Sequence, residues 1–358
     1  MKCDTYSIRH GYDKKKCLVH ARCCYTPERM VATAQYLNVA GMDLFSGILV
    51  SQSFDEGATW SDFEEQKGLA PIVDQEYITV GCDATPMYHK KTDTVLLLGQ
   101  TTEYKKGAMS STECNRHTFY SILDKRTNEF GPMRLLELPA GYERCGNGSG
   151  QSVELENGDL LIPVYYEKDN EPNFYSTVLK CSFDGEKISF LEMGKPLTIH
   201  IYRGLCEPSL IFHNGTYYMT LRNDECGLVA KSSDGLNYRD LQLWKWDDGS
   251  ILQNYNTQQH WMTVGGELYL VYTRRGADND HVFRHRAPLF AAKVDGMRLV
   301  KNSEIAIVPE KGARLGNFGV TSYKEDCAVV MAAEWMQPLG CEKYGSDNHI
   351  YVAKISCE

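Results

Sequence analysis

No apolar run in this chain of 358 residues approaches the length of a bilayer-crossing helix, about 20 residues. That excludes a helical membrane protein. The opening, MKCDTYSIRHGYDKKKC, has no apolar stretch of the kind a secretion signal needs. Positive charge is also short. The formal net charge is −9, which argues against nucleic acid or an anionic membrane as the main partner. The 13 cysteines are scattered, odd in number and never spaced CxxC. That pattern supports neither a structural zinc site nor a disulfide framework. It fits reduced thiols, and the expected location is the cytoplasm, or outside the cell if a leader has been removed. No segment sustains helical periodicity, and no low-complexity linker or composition shift marks a boundary. One domain over residues 1–358 is the expectation.

What the chain does contain is strands and turns. DTVLLLGQTTEY, GDLLIPVYYE, GTYYMTLRND and GELYLVYTRR are short apolar, β-branched or aromatic runs, each preceded by a polar turn such as ENGD or HNGT. They recur. NGDLL starts at Asn157, NGTYY at Asn214 and GGELY at Gly265, a spacing in the fifties. A second pattern, SQSFDEGATW, has echoes in SFDGEKIS from Ser182 and SSDGLNY from Ser232. In it Asp55 can accept hydrogen bonds from turn N–H groups, Gly57 can take positive φ, and Trp60 can fold back as an apolar plug. A period near fifty with four short strands per unit predicts an all-β β-propeller. Its length allows five to seven blades.

SFDEGATW resembles the Asp-box of the sialidase superfamily, whose members are typically six-bladed propellers. In that family the box is structural, so the resemblance makes Asp55 and Trp60 staples of a blade hairpin. Further landmarks follow in family order. ARCCYTPERMVATAQYL resembles the opening strand and implies that Arg22 is the first of three arginines clamping a substrate carboxylate. A guanidinium suits that task because its planar fork makes paired, charge-assisted hydrogen bonds. Asp43, in NVAGMDLFSGILVSQSFD, matches the placement of the acid/base aspartate, and its apolar neighbours would raise its pKa. GLCEPSLIFHNGTYYMTLRND implies Glu207 as the family glutamate and Arg222 as the second clamp arginine. CGNGSGQSVELENGDLLIPVYY resembles the Gly-rich stretch before it. Arg286, in YTRRGADNDHVFRHRAPLFAAKVD, is the choice for the third arginine, with Arg274, Arg275 and Arg284 as rivals.

The pattern departs from the family at the nucleophilic tyrosine. Counting back from Glu334 reaches GNFGV, where Asn317 and Phe318 stand. Histidines gather nearby: His260 in NTQQHW, His281 and His285 in DNDHVFRHRAP, with His20 two residues from Arg22. Histidine is suited to acid/base work near neutral pH. Gln258, Gln259 and Asn279 add groups that suit sugar hydroxyls. The resemblance implies a sialidase-like exo-glycosidase that removes a terminal acidic sugar from an oligosaccharide, with no metal or organic cofactor. Asp43, Glu207, His260 and His281 are the catalytic candidates. Arg22, Arg222, Arg286, Gln259 and Asn279 are the substrate-binding ones. Two alternatives stay open: a uronate-specific lyase or rhamnosidase-like propeller using histidine, and an inactive propeller that binds a glycan or a protein.

Overall fold

A computed structural model describes residues 1–111, 116–142, 144–168 and 171–357. It is a six-bladed β-propeller of antiparallel sheets. Blade 1 runs Lys16–Tyr25, Met30–Asn38, Phe45–Ser53 and Glu64–Glu65. Blade 2 is built on Tyr77–His89, Thr94–Lys105, Thr118–Asp124 and Glu129–Phe130. In blade 3 two short pieces, Cys145–Gly146 and Val153–Glu154, stand where a continuous first strand would be, followed by Leu160–Glu167, Phe174–Phe183 and Ile188–Met193. Blade 4 is Cys206–His213, Thr216–Arg222, Gly227–Ser232 and Arg239–Leu243. Blade 5 is His260–Val264, Glu267–Tyr272 and Leu289–Asp295, edged by Arg298–Leu299 and Ile305–Val308. Blade 6 is Gly319–Lys324, Cys327–Ala333 and Ile350–Ser356, and its outer strand is the N-terminal Lys2–Arg9. The chain thus closes its ring by hydrogen-bonding one end to the other.

The apolar clusters show what holds the blades. Most lie between two neighbouring sheets. Leu96 and Leu98 of blade 2 meet Leu160 and Ile162 of blade 3. Val329, Met331 and Val352 of blade 6 meet Leu18, Ala32 and Leu49 of blade 1. A sheet covered on both faces has little use for polar alternation. This is why the second strands of blades 2 to 5 read as the unbroken runs LLLG, LLIPVYY, YYMTL and LYLVY. The turns before two of them use left-handed pairs, Asn214 with Gly215 and Gly265 with Gly266, as tight hairpins require.

The Ser53–Trp60 turn joins the third and fourth strands of blade 1. Asp55 Oδ1 accepts from Ser53 Oγ and from Thr59 N–H, both at 2.8 Å, and Oδ2 accepts from Thr59 Oγ1 at 2.6 Å. Trp60 Nε1 donates to the Gly57 carbonyl at 3.1 Å, and its ring packs on the blade 6–blade 1 cluster. Blade 4 repeats the arrangement with Ser232, Asp234 and Asn237. In both places a carboxylate organises the backbone of a hairpin on a blade edge.

Candidate active site

The site is made by a device repeated in three first strands. In blade 1, Val19 pairs with Gln35 and Arg22 with Thr33, so His20 and Ala21 stand opposite one residue. In blade 2, Asp83 and Ala84 bulge in the same way between Cys82 and Thr85. In blade 4, Glu207 and Pro208 do so between Cys206 and Ser209. The first residue of each bulge takes left-handed backbone: φ is 57° at His20, 50° at Asp83 and 47° at Glu207. None is glycine, and such a conformation costs on the order of 1–3 kcal/mol per residue. Each bulge re-aims a titratable side chain, and those of His20 and Asp83 meet, Nε2 to Oδ1 at 3.2 Å.

Arg22, two residues after His20, is fully buried. Its Nε donates to the Phe318 carbonyl at 3.2 Å, and Nη1 to the Ala84 carbonyl at 3.2 Å. Nη2 reaches Ser149 Oγ at 3.0 Å, Gln258 Oε1 at 3.4 Å and the Asp83 carboxylate at 3.5 Å. The guanidinium therefore ties the inner edges of the blades together. Asp83 also accepts from Ser149 Oγ at 3.0 Å and from Gln100 Nε2 at 3.3 Å. Burial opposes its ionisation, but His20, Arg22 and these hydrogen bonds outweigh it and hold the carboxyl at about 2.

One wall is cationic. Arg222 Nη1 pairs with Glu207 Oε1 at 2.6 Å, while its Nη2 donates to Asn256 Oδ1 at 2.6 Å. Arg286 Nε donates to the carbonyl of the same Asn256 at 3.0 Å, and its Nη1 lies 3.5 Å from Asn317 Oδ1. Arg314 stacks on Trp335, 4.4 Å from the ring centre, and donates to Gln337 Oε1 at 3.1 Å. Arg286 and Arg314 are 5% and 8% exposed. Among the described residues neither has a carboxylate within ion-pair distance, and Arg314 Nε is buried without a partner. Burial and neighbouring guanidiniums push Arg286 well below the usual arginine range and Arg314 down to about 10. Both stay cationic at neutral pH. Arg284 is exposed at the rim, and Arg203 pairs with Asp224 through two hydrogen bonds, at 2.6 and 2.9 Å.

Asp43 lies on the loop between the second and third strands of blade 1, with φ 55°. The loop is pinned by Met42 N–H on the Met109 carbonyl at 2.8 Å and by Gln337 Nε2 on the Gly41 carbonyl at 2.9 Å. Gly41 is required there, because a Cβ would come within 2.4 Å of Leu44 and 2.8 Å of the Met109 carbonyl. Asp43 is exposed to solvent. Desolvation, then the Asp83 carboxylate, raise its pKa against His20, Arg314 and Arg286.

The other sequence candidates lie as follows. His260 is buried, with Nε2 2.6 Å from Gln258 Oε1 and Nδ1 3.0 Å from Ser209 Oγ, and burial pushes it down to about 3. Gln259 bonds inward, to Thr220 Oγ1 at 2.6 Å and to the Thr257 carbonyl. Asn279 holds its own loop through the carbonyls of Arg274 and Ala287. His281 lies 2.9 Å from Glu310 and against Tyr344. Phe318 is buried in the core, while Asn317 Nδ2 donates to Asp83 Oδ1 at 3.3 Å. Tyr323 packs against Tyr25 with the rings tilted, on the cluster that holds Trp60. Tyr255 bonds His285 at 2.6 Å.

Three groups near Glu207 and Asp43 escaped the sequence reading: Asp83, Arg314 and Tyr165. Tyr165 packs on Phe174 and Cys206 with Arg116 over its ring. Burial, with Glu207 and Asp83 adding to it against Arg116, raises its phenol. Asp83 did leave a signal. Cys82-Asp83 and Cys206-Glu207 each precede a histidine, His89 and His213, at the same spacing and then a hairpin turn. Arranged this way, the pocket can bind an anion on Arg286 and Arg314, donate a proton from Asp43 and accept one on Glu207.

The sequence matches no protein-family model and no curated protein. Solved structures do match. A protein of unknown function from Dyadobacter fermentans superposes with a TM-score of 0.72 at 12% identity, over 99% of both chains. The Trypanosoma rangeli sialidase bound to the inhibitor DANA gives 0.65 at 16% identity, over 95% of this chain and 55% of that one. A K499G mutant of the NanB sialidase of Streptococcus pneumoniae gives 0.62 at 12%, over 97% of this chain and 68% of that one. The chain spans about half the length of the trypanosomal enzyme. At these identities the likeness is one of architecture: the chain has a sialidase-like, six-bladed propeller fold.

Proposed function

We propose that this protein is a sialidase-like exo-glycosidase that removes a terminal, carboxylate-bearing sugar from a glycan. The observation that carries the reading is the pair of buried guanidiniums, Arg286 and Arg314, that have no carboxylate partner among the described residues. A buried unpaired cation is costly and calls for an anion. In this reading Arg222, Arg286 and Arg314 hold the sugar carboxylate, and Asp43 protonates the leaving oxygen. Glu207 keeps one oxygen on Arg222 and the other buried without a partner. It is the group that accepts a proton, from the water that bonds to the anomeric carbon as the bond to the leaving oxygen breaks, and Tyr165 lies within its electrostatic reach. A glycosidase in which water attacks directly needs two such groups about the scissile bond, one to protonate the leaving oxygen and one to take the proton of the water.

The test is turnover of aryl glycosides of N-acetylneuraminic acid and glucuronic acid against those of neutral sugars. The reading predicts aryl release from an acidic glycoside and none from the neutral set. A rise in absorbance at 235 nm would report an unsaturated lyase product instead. Binding of the acidic sugar without turnover would make the protein an inactive glycan-binding propeller.

A further inference from the structure

Most arginines of the pocket are accounted for. Arg22 meets Asp83 at 3.5 Å, while Arg222 meets Glu207 and Arg203 meets Asp224, both at 2.6 Å. Arg286 and Arg314 are assigned to the sugar carboxylate, and Arg284 is exposed to solvent. Arg116 is left over. It stands just before the third strand of blade 2 and is partly buried. Among the described residues it has no carboxylate within ion-pair distance. Its guanidinium lies over Tyr165, 4.8 Å from the ring centre, and 5.3 Å from that of Phe174. Its stem runs along Gly146, where a Cβ would come within 2.3 Å of Arg116 Cδ. The same Cβ would meet Gln100 Oε1 at 2.4 Å, so Arg116 and Gln100 are neighbours. Gln100 in turn donates to Asp83 at 3.3 Å. On the other side Tyr165 and Phe174 pack on Cys206, which precedes Glu207. One residue thus separates Arg116 from Asp83, and one separates it from Glu207.

We propose that Arg116 binds a second anionic group of the substrate: a sulfate, a phosphate or a further carboxylate on the same glycan. Aromatic faces attract and orient a guanidinium, but they carry no net charge and do not neutralise it. Arginine keeps its proton at neutral pH. A guanidinium held flat in this way presents its fork to an anion with two acceptor oxygens. The receptor is distinct from the one assigned to the sugar carboxylate. Between Arg286 and Arg116 stand Asn317, Asp83 and Gln100 in series. Gly146 leaves room for the arginine stem, since any side chain there would take its place. The substrate that fits both receptors is an acidic sugar bearing a second negative charge.

The inference rests on the proposed function for the place of the first carboxylate, and its test separates the two. Calorimetric titration compares glucuronic acid and N-acetylneuraminic acid with their monosulfates and monophosphates. At least one dianion should bind about tenfold or more tightly than its parent acid, the gain expected from one charge-assisted hydrogen bond. Arg116→Gln should erase that gain. Arg116→Lys, which keeps the charge but not the fork, should restore part of it. A wild type that binds no dianion better than its parent overturns the inference and leaves the proposed function standing. So does a gain that survives Arg116→Gln. If the parent acids do not bind at all, the proposed function fails, and inorganic sulfate decides the inference. Saturable sulfate binding that Arg116→Gln weakens about tenfold or more sustains it. Sulfate binding untouched by that variant, or none in the wild type, overturns it.

Discussion

Arg222 and Arg286, from blades 4 and 5, share one residue: Asn256 gives its side-chain oxygen to Arg222 at 2.6 Å and its carbonyl to Arg286 at 3.0 Å. They lie far apart in the chain and are brought together by the loop that leads into blade 5. The shared anchor fixes the spacing of two guanidiniums and leaves Arg286 Nη1 without a carboxylate partner among the described residues.

That spacing makes the first prediction. Arg286→Lys keeps the charge but loses the fork and the bond to Asn256. Affinity for an acidic sugar should fall about tenfold or more, the equivalent of one charged hydrogen bond of about 1.5 kcal/mol or more. Calorimetric titration measures it. Unchanged affinity would remove Arg286 from the anion site.

Arg22 predicts a different outcome, because its donors serve carbonyls, Ser149, Gln258 and Asp83. Arg22→Met strands the Asp83 carboxylate and should destabilise the fold by about 3–5 kcal/mol. Chemical denaturation reads this directly. A variant of native stability that has lost only sugar binding would show that Arg22 meets the substrate.

Asp43 predicts a pH profile. A general acid must be protonated, and the Asp43 pKa is raised by desolvation and by Asp83. The rate should therefore fall as pH rises through that value. Asp43→Asn should lower kcat by about 10²–10⁴-fold and abolish that limb. A variant that keeps the limb would assign it to another group.

Asp55 predicts a stability effect without a catalytic one. Hydrogen bonds from Thr59 and Ser53 hold its carboxyl down to about 2, below the unfolded value of about 3.9. Its stabilisation is thus present above the unfolded value and lost as pH falls through the folded one. Asp55→Ala should lower Tm at pH 7 and lose less on going to pH 3 than the wild type does. Turnover of the folded variant should stay within about twofold. A thermally unchanged variant without turnover would place Asp55 at the site.

The fold was legible because the propeller hides both faces of its sheets. Doubly buried second strands wrote themselves as unbroken apolar runs at a regular spacing, and the turn residues between them punctuated the period. The bulges were not legible. Strand alternation alone puts residues 20 and 22 on one face, and nothing in the sequence announces the register break at His20–Ala21 or that both side chains reach the Asp83 carboxylate. His260 and Gln259 were legible as polar residues of a strand edge, but not the inward partners that occupy them, Ser209 and Thr220. Arg314 sits outside any strand, and its place depends on Trp335 and Gln337, which come from another loop.

The central claim is that the pocket selects a carboxylate. The direct measurement is the Kd of N-acetylneuraminic acid and of glucuronic acid against their methyl esters, which keep the ring and hydroxyls and remove the charge. The account predicts that at least one free acid binds about tenfold or more tightly than its ester, and that Arg286→Lys erases most of the difference. Equal affinity for acid and ester, in both sugars, would contradict it.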